Sequence, residues 1–167
     1  MRSHATVIIL AACLSTTAAR ADEHEEAGHE EHEHEHHHQN HVALFLGATS
    51  TLGDMSATHF TVGADYEHRL PFLHEVGVGV LVDSSIASET ETLLAGFVAV
   101  HPVGGLMILG AAGVAVTGLG HDGHLGLRAG AAYFFPVGAF SIGPEVSVDR
   151  VNGENAVVYG VSVGTGF

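Results

Sequence analysis

LGLRAGAAYFFPVGAFSIGPEVSVD, residues 125–149, alternates in residue character on both sides of a short Pro-containing segment. Before that segment Leu125, Leu127, Ala129, Ala131 and Tyr133 interleave with Gly126, Arg128, Gly130, Ala132 and Phe134. After it, Phe140, Ile142, Pro144, Val146 and Val148 interleave with Ser141, Gly143, Glu145, Ser147 and Asp149. Successive side chains of a strand point to opposite faces, so a sustained period of two predicts two strands, each apolar on one face and small or charged on the other. The two strands fold into a hairpin about Phe135-Pro136-Val137-Gly138. A fold symmetric about Pro136 and Val137 sets Arg128 opposite Glu145 as an ion pair on the polar face. An ion pair inside a sheet with an apolar outer face predicts a closed barrel with a polar lumen and a lipid-facing exterior.

The rest of the chain repeats this pattern. Strands are expected over Val42–Thr51, Phe60–Glu67 after a Gly53-Asp54 turn, Val76–Asp83, Thr92–Val100, Leu106–Val116 and Ala156–Phe167. Pro71, Pro102 and Pro136, at near-equal spacing, are read as marking three tight turns. Three hairpins with a first and a last strand make eight, and an even count lets the terminal strands pair and leave no edge. Residues 42–167 then supply about 16 residues per strand, against the roughly 9–11 that a tilted strand needs to cross a bilayer. The segments 92–100 and 106–116 are apolar on both faces, so their inward side is open. Pro144 lacks a ladder donor and predicts a bulge or a missing hydrogen bond. The connections Gly53–Ala57, Ser84–Glu91, Gly118–His124 and Arg150–Asn155 fall at the other end of the barrel and are short.

The first 21 residues carry Arg2, an apolar run from Ala5 to Leu14 and the small-residue site Ala19-Arg20-Ala21, the order of a secretory signal peptide. That run is too short to span a bilayer as a helix, so membrane insertion is expected by strands. Leu10-Ala11-Ala12-Cys13 offers a second reading, a lipobox that makes the only cysteine a lipidated terminus. Removing residues 1–21 leaves Arg69, Arg128 and Arg150 against all 19 acids, with no lysine, which excludes nucleic acid as a partner. Residues 22–41, DEHEEAGHEEHEHEHHHQNH, hold eight histidines, eight acids and almost nothing that could be buried; they are expected to form a disordered arm ahead of a single domain at 42–167.

Tyr159, Val161, Val163 and the terminal Phe167 share one face of the last strand and end in an aromatic residue. This resembles the assembly signal of bacterial outer-membrane barrels, although Thr165 departs from the apolar residue usual there. Together with the leader and the hairpin repeat, it makes residues 42–167 resemble the small eight-stranded outer-membrane barrel family. The resemblance implies an all-β, closed, antiparallel, monomeric transmembrane barrel in the bacterial outer membrane. Its implied partners are membrane lipid and the barrel-assembly machinery. Some members of that family are lipid-modifying enzymes that act with Ser and His near the outer rim. Here Ser84, Ser85, Ser88 and His59 fall there without a motif that sets a nucleophile beside a base, so a non-enzymatic barrel is expected. Asp65, Glu67, Arg69 and Asp83 are further candidate lumen charges.

The arm carries the most pointed chemistry. Imidazole with carboxylate suits Zn²⁺, with Ni²⁺ or Cu²⁺ as neighbours in preference, and His24, His29, His32, His34, His36, His37, His38 and His41 are the candidate ligands. Nothing implies an organic cofactor. His121 and His124 around Asp122 form a weaker candidate in an outer loop, while His68, His74 and His101 are expected at the periplasmic rim as interfacial histidines. With the arm in the periplasm, the reading is metal buffering or uptake. Its competitors are a passive structural barrel without a specific ligand and a soluble periplasmic β-protein, the last opposed by the uniformly apolar outer faces.

Overall fold

The computed structural model describes residues 39–52, 57–87, 90–118 and 123–167. The leader, Cys13, the arm up to His38, Gly53, Asp54, Ser88, His121 and Asp122 lie outside them. All the described elements are strands: β1 (Asn40–Leu52), β2 (Thr58–Leu70), β3 (Leu73–Ile86), β4 (Glu91–Val100), β5 (Leu106–Thr117), β6 (Gly123–Tyr133), β7 (Phe135–Val137), β8 (Phe140–Val151) and β9 (Glu154–Gly166). Each pairs antiparallel with its neighbour, and β1 pairs with β9 from His41↔Gly166 to Leu52↔Asn155, which closes the sheet. β6 and β7 line up along β8 as one wall strand interrupted at Phe134, so the barrel has eight staves.

Alternation decides the two faces. Leu44, Leu46, Val78, Val80, Val82, Leu94, Val98, Ile108, Leu125, Val146, Val148, Val161 and Val163 point outward and are exposed. The intervening positions face the lumen, and many of them are buried. At the end that carries the tight turns, Tyr66, Phe72, Tyr133, Phe135, Phe140 and Phe167 form an exposed aromatic rim. An apolar band edged by aromatic rings is how a barrel presents itself to lipid.

Two expectations need correcting here. The β6–β8 hairpin does not fold about Pro136 and Val137. Val137 pairs with Phe140 across a two-residue Gly138-Ala139 turn, and Pro136 lies inside β7 opposite Ser141. Gly138 has φ 63°, the left-handed value that a type II′ hairpin requires at its first central residue. The register is therefore displaced: Arg128 faces Asp149, and Glu145 faces Ala132. The lumen, too, is only partly polar. β4 and β5 turn Leu93, Ala95, Phe97, Ala99, Met107, Leu109 and Ala111 inward, because an eight-stave barrel is narrow enough that side chains must fill it.

Pro144 stays in register with Val161 on β9, and no bulge forms. On its other side the β6–β8 ladder stops at Ala132↔Glu145 and resumes at Phe135↔Ile142, so the missing donor falls at the gap beside Tyr133 and Phe134. The Phe134 N–H turns away and donates to the Gly105 carbonyl at 2.7 Å.

Candidate functional site

Arg128 stands at the centre of the lumen. β6 and β8 bring it opposite Asp149, to which it donates from Nε to Oδ1 at 2.6 Å and from Nη2 to Oδ2 at 2.7 Å. Its third nitrogen, Nη1, donates to Asp83 Oδ2 on β3, which lies across the barrel from the β8 strand of Asp149, so the guanidinium ties opposite walls together. All three residues are buried. Glu145 also points inward but takes a different partner, the Ser162 hydroxyl of β9 at 2.5 Å. Arg128 and Glu145 thus both face the lumen, as read from the sequence, but are not cross-strand neighbours. Asp149 is the partner that the misplaced turn hid. Gly138 was the signal that would have found it.

Towards the loop end, Thr49, Thr61 and Ser85 close a ring of hydroxyls, 2.7, 3.1 and 3.0 Å apart. A cavity of ≈ 250 Å³ opens above them, with Glu91, His124, Glu154 and Asn155 at its rim. Ser84 faces outward against Thr92 at 2.9 Å, and among the described residues neither Ser84 nor Ser85 hydrogen-bonds an imidazole.

At mid-height Phe45, Leu81, Phe97, Met107 and Leu109 fill the lumen. They leave a void of ≈ 10 Å³ beside Asp65, Asp83, Arg128 and Glu145, no more than about one water's worth. Glycines on the wall make room for the rings. Phe45 lies against Gly47 and Gly160, and Phe97 against Gly79.

The turn end holds a second cavity, ≈ 340 Å³, lined by His41, Glu67, Arg69, His101, Phe134 and Ser141 among others. Glu67 is the largest fully buried side chain there. Its Oε1 accepts from His101 Nε2 at 2.7 Å, and Arg69 Nη2 approaches His101 Nδ1 at 3.3 Å. A guanidinium can only donate, so Nδ1 accepts and the proton of the ring sits on Nε2. His41, assigned from the sequence to the arm, is instead in β1 inside the barrel mouth. Its ring meets Phe134 edge-on at 5.3 Å, and its Nε2 lies 3.3 Å from the Ser141 hydroxyl. His68 bonds Asn40 Oδ1 at 3.0 Å near the same rim. Tyr159, Val161 and Val163 line up on the outer face of β9, and Phe167 exchanges backbone hydrogen bonds with Asn40 at 2.9 and 3.1 Å.

Among solved structures the chain is similar to Ail, the attachment invasion locus protein of Yersinia pestis. The TM-score is 0.59 at 10% identity, over 78% of this chain and 99% of that one. It is similar to neisserial surface protein A (TM-score 0.55, 11% identity, 77% of this chain and 97% of that one). It also resembles a de novo designed transmembrane β-barrel (TM-score 0.54, 13% identity, 75% and 95%). At such identities the likeness is one of fold. No family model and no curated protein sequence matches the chain.

Proposed function

We propose that this is a non-enzymatic β-barrel of the bacterial outer membrane whose arm, residues 22–38, faces the periplasm and binds divalent transition metal, zinc foremost, so buffering metal at the envelope. The membrane part of the reading is supported by the exposed apolar band around a closed sheet. The metal part is carried by the seven histidines of residues 22–38, His24, His29, His32, His34, His36, His37 and His38. Imidazole must be neutral to coordinate, so binding weakens as pH falls through about 6.5, whereas attraction to carboxylates alone would persist there.

Calorimetric titration of Zn²⁺ into the full chain and into a chain lacking residues 22–38, at pH 7.5 and pH 5, tests this. Strong heat only for the full chain at the higher pH is the expected result. Equal heats at both pH values would remove the histidine site.

The filled lumen supports a second reading, a structural barrel that passes nothing. It speaks for buffering over uptake, since Phe45, Phe97 and Met107 stand in any path through the barrel. Unchanged envelope zinc on removal of the arm would favour the purely structural barrel.

A further inference from the structure

We propose that the cavity at the turn end of the barrel binds a small carboxylate with an apolar body, its carboxylate seated on the Arg69 guanidinium. Such a site needs nothing from the arm, since every group it uses stands on the closed barrel.

Strand register brings these groups together. His41 and Glu67 are cross-strand partners on β1 and β2, Arg69 follows two positions on along the same face, and His101 comes directly after β4. The chain carries a formal net charge of -14, yet Glu67 is the one carboxylate among the described residues that line this cavity. The loop-end cavity, by contrast, is lined by Asp83, Glu91, Asp149 and Glu154. An anion entering the turn end therefore meets Glu67 alone, and that carboxylate is already engaged. Its Oε1 accepts from His101 Nε2 at 2.7 Å, and only 2% of its side chain is accessible.

Arg69 is the reverse case, with 28% of its side chain accessible. Its Nε lies 3.8 Å from Glu67 Oε1, beyond hydrogen-bond reach, so the carboxylate offsets its charge without taking a donor. Among the described residues the only acceptor its side chain finds is the neutral His101 Nδ1, at 3.3 Å. A guanidinium carries five N–H donors, and bonds to a charged acceptor are roughly twice as strong as bonds to a neutral one. Arg69 thus keeps donors that a ligand carboxylate matches in pairs.

Around this cation the cavity suits a small organic body. Its volume of ≈ 340 Å³ lies at the lower end of the roughly 300–1,000 Å³ in which proteins hold small molecules. Phe134, Pro136 and Phe140 supply apolar walls. The Ser141 hydroxyl, 3.3 Å from His41 Nε2, can accept from the ring and turn its own proton to the ligand. One guanidinium beside apolar walls selects an aryl or branched aliphatic acid over inorganic phosphate. The Gln39 carbonyl accepts the Arg69 backbone N–H at 2.7 Å, so the ligand comes from the side of the membrane on which the arm begins.

Calorimetric titration of hydrocinnamate into the full chain in lipid nanodiscs, with empty nanodiscs as the blank, tests the assignment. Saturable binding is the expected result. The amide of hydrocinnamate, which keeps the body and lacks the charge, should bind at least about tenfold more weakly, and so should inorganic phosphate. Arg69→Gln should weaken hydrocinnamate binding at least about tenfold, whereas Arg150→Gln, at the loop end of β8, should leave it unchanged. Glu67→Gln keeps an acceptor for His101 and removes the like charge, so it should tighten binding, a gain that misfolding cannot imitate. Folding of each variant is checked by the shift between heated and unheated samples on gels. No saturable binding, or equal affinities for the unaltered chain and Arg69→Gln, would overturn the site. Phosphate binding as tight as that of hydrocinnamate would overturn the choice of a carboxylate with an apolar body.

Discussion

Arg128 has to be considered together with the two carboxylates it joins. A buried guanidinium bridging Asp83 and Asp149 is compensated by geometry, but a carboxylate left alone in the same place is not. Arg128→Met should therefore destabilise the refolded barrel by about 3–5 kcal/mol. The triple change with Asp83→Asn and Asp149→Asn should cost less than Arg128→Met alone. Urea titration followed by the heat-shift on gels measures both; equal losses would show that the three do not act together. Ser147 is the opposite case, a buried hydroxyl with no hydrogen-bond partner among the described residues. An unsatisfied buried hydroxyl costs about 1–3 kcal/mol, so Ser147→Ala should raise the urea midpoint. A lowered midpoint would mean that the hydroxyl has a partner after all.

At the level of strands, the sequence was legible wherever one face was polar. The alternations in β2, β3, β6, β8 and β9 fixed both the strands and their inward sides, because a one-residue slip would bring valines into the lumen and carboxylates into lipid. β4 and β5 carry no such contrast: Leu93, Ala95 and Phe97 alternate with Leu94, Gly96 and Val98, and either set could face inward. What settles it is volume. Phe97 occupies the space that Gly79 leaves on the neighbouring β3. Gly79→Ala should accordingly cost about 1–3 kcal/mol through overpacking, although alanine is ordinarily harmless in a strand. A stability unchanged in urea would show that Phe97 has room elsewhere. The misplaced turn has the same origin. Pro136 and Gly138 are both turn residues, and only the pairing of Val137 with Phe140 shows that the glycine governs. The candidate metal ligands were legible as a composition; that His41 belongs to the barrel, and that His101 stands near it with Glu67 behind, required the three-dimensional closure of the sheet.

For the whole molecule, the lumen is two mouths separated by a mixed plug. The turn-end mouth holds His41, Glu67 and His101, and the loop-end mouth holds the hydroxyl ring and acidic rim. Between them lies a void of ≈ 10 Å³ walled by Phe45, Phe97 and Met107. The unaltered barrel should therefore show no steady conductance in a planar bilayer. Joint replacement of Phe45, Phe97 and Met107 by Ala should produce discrete openings while preserving the heat-shift. Sustained current through the unaltered protein would contradict the plug.

The β1–β9 seam sets a condition on how the molecule is made. Asn40 and Phe167 bond across a separation of 127 residues, so the first stave of the barrel finds its second partner only when the last has arrived. Bringing such distant segments together is slow compared with closing any of the hairpins, which have turns of a few residues. Throughout that interval β1 carries an open row of donors and acceptors and a face of valines and leucines, the profile of an aggregation template. Biogenesis, more than the stability of the finished barrel, is thus where this sequence is most exposed to failure.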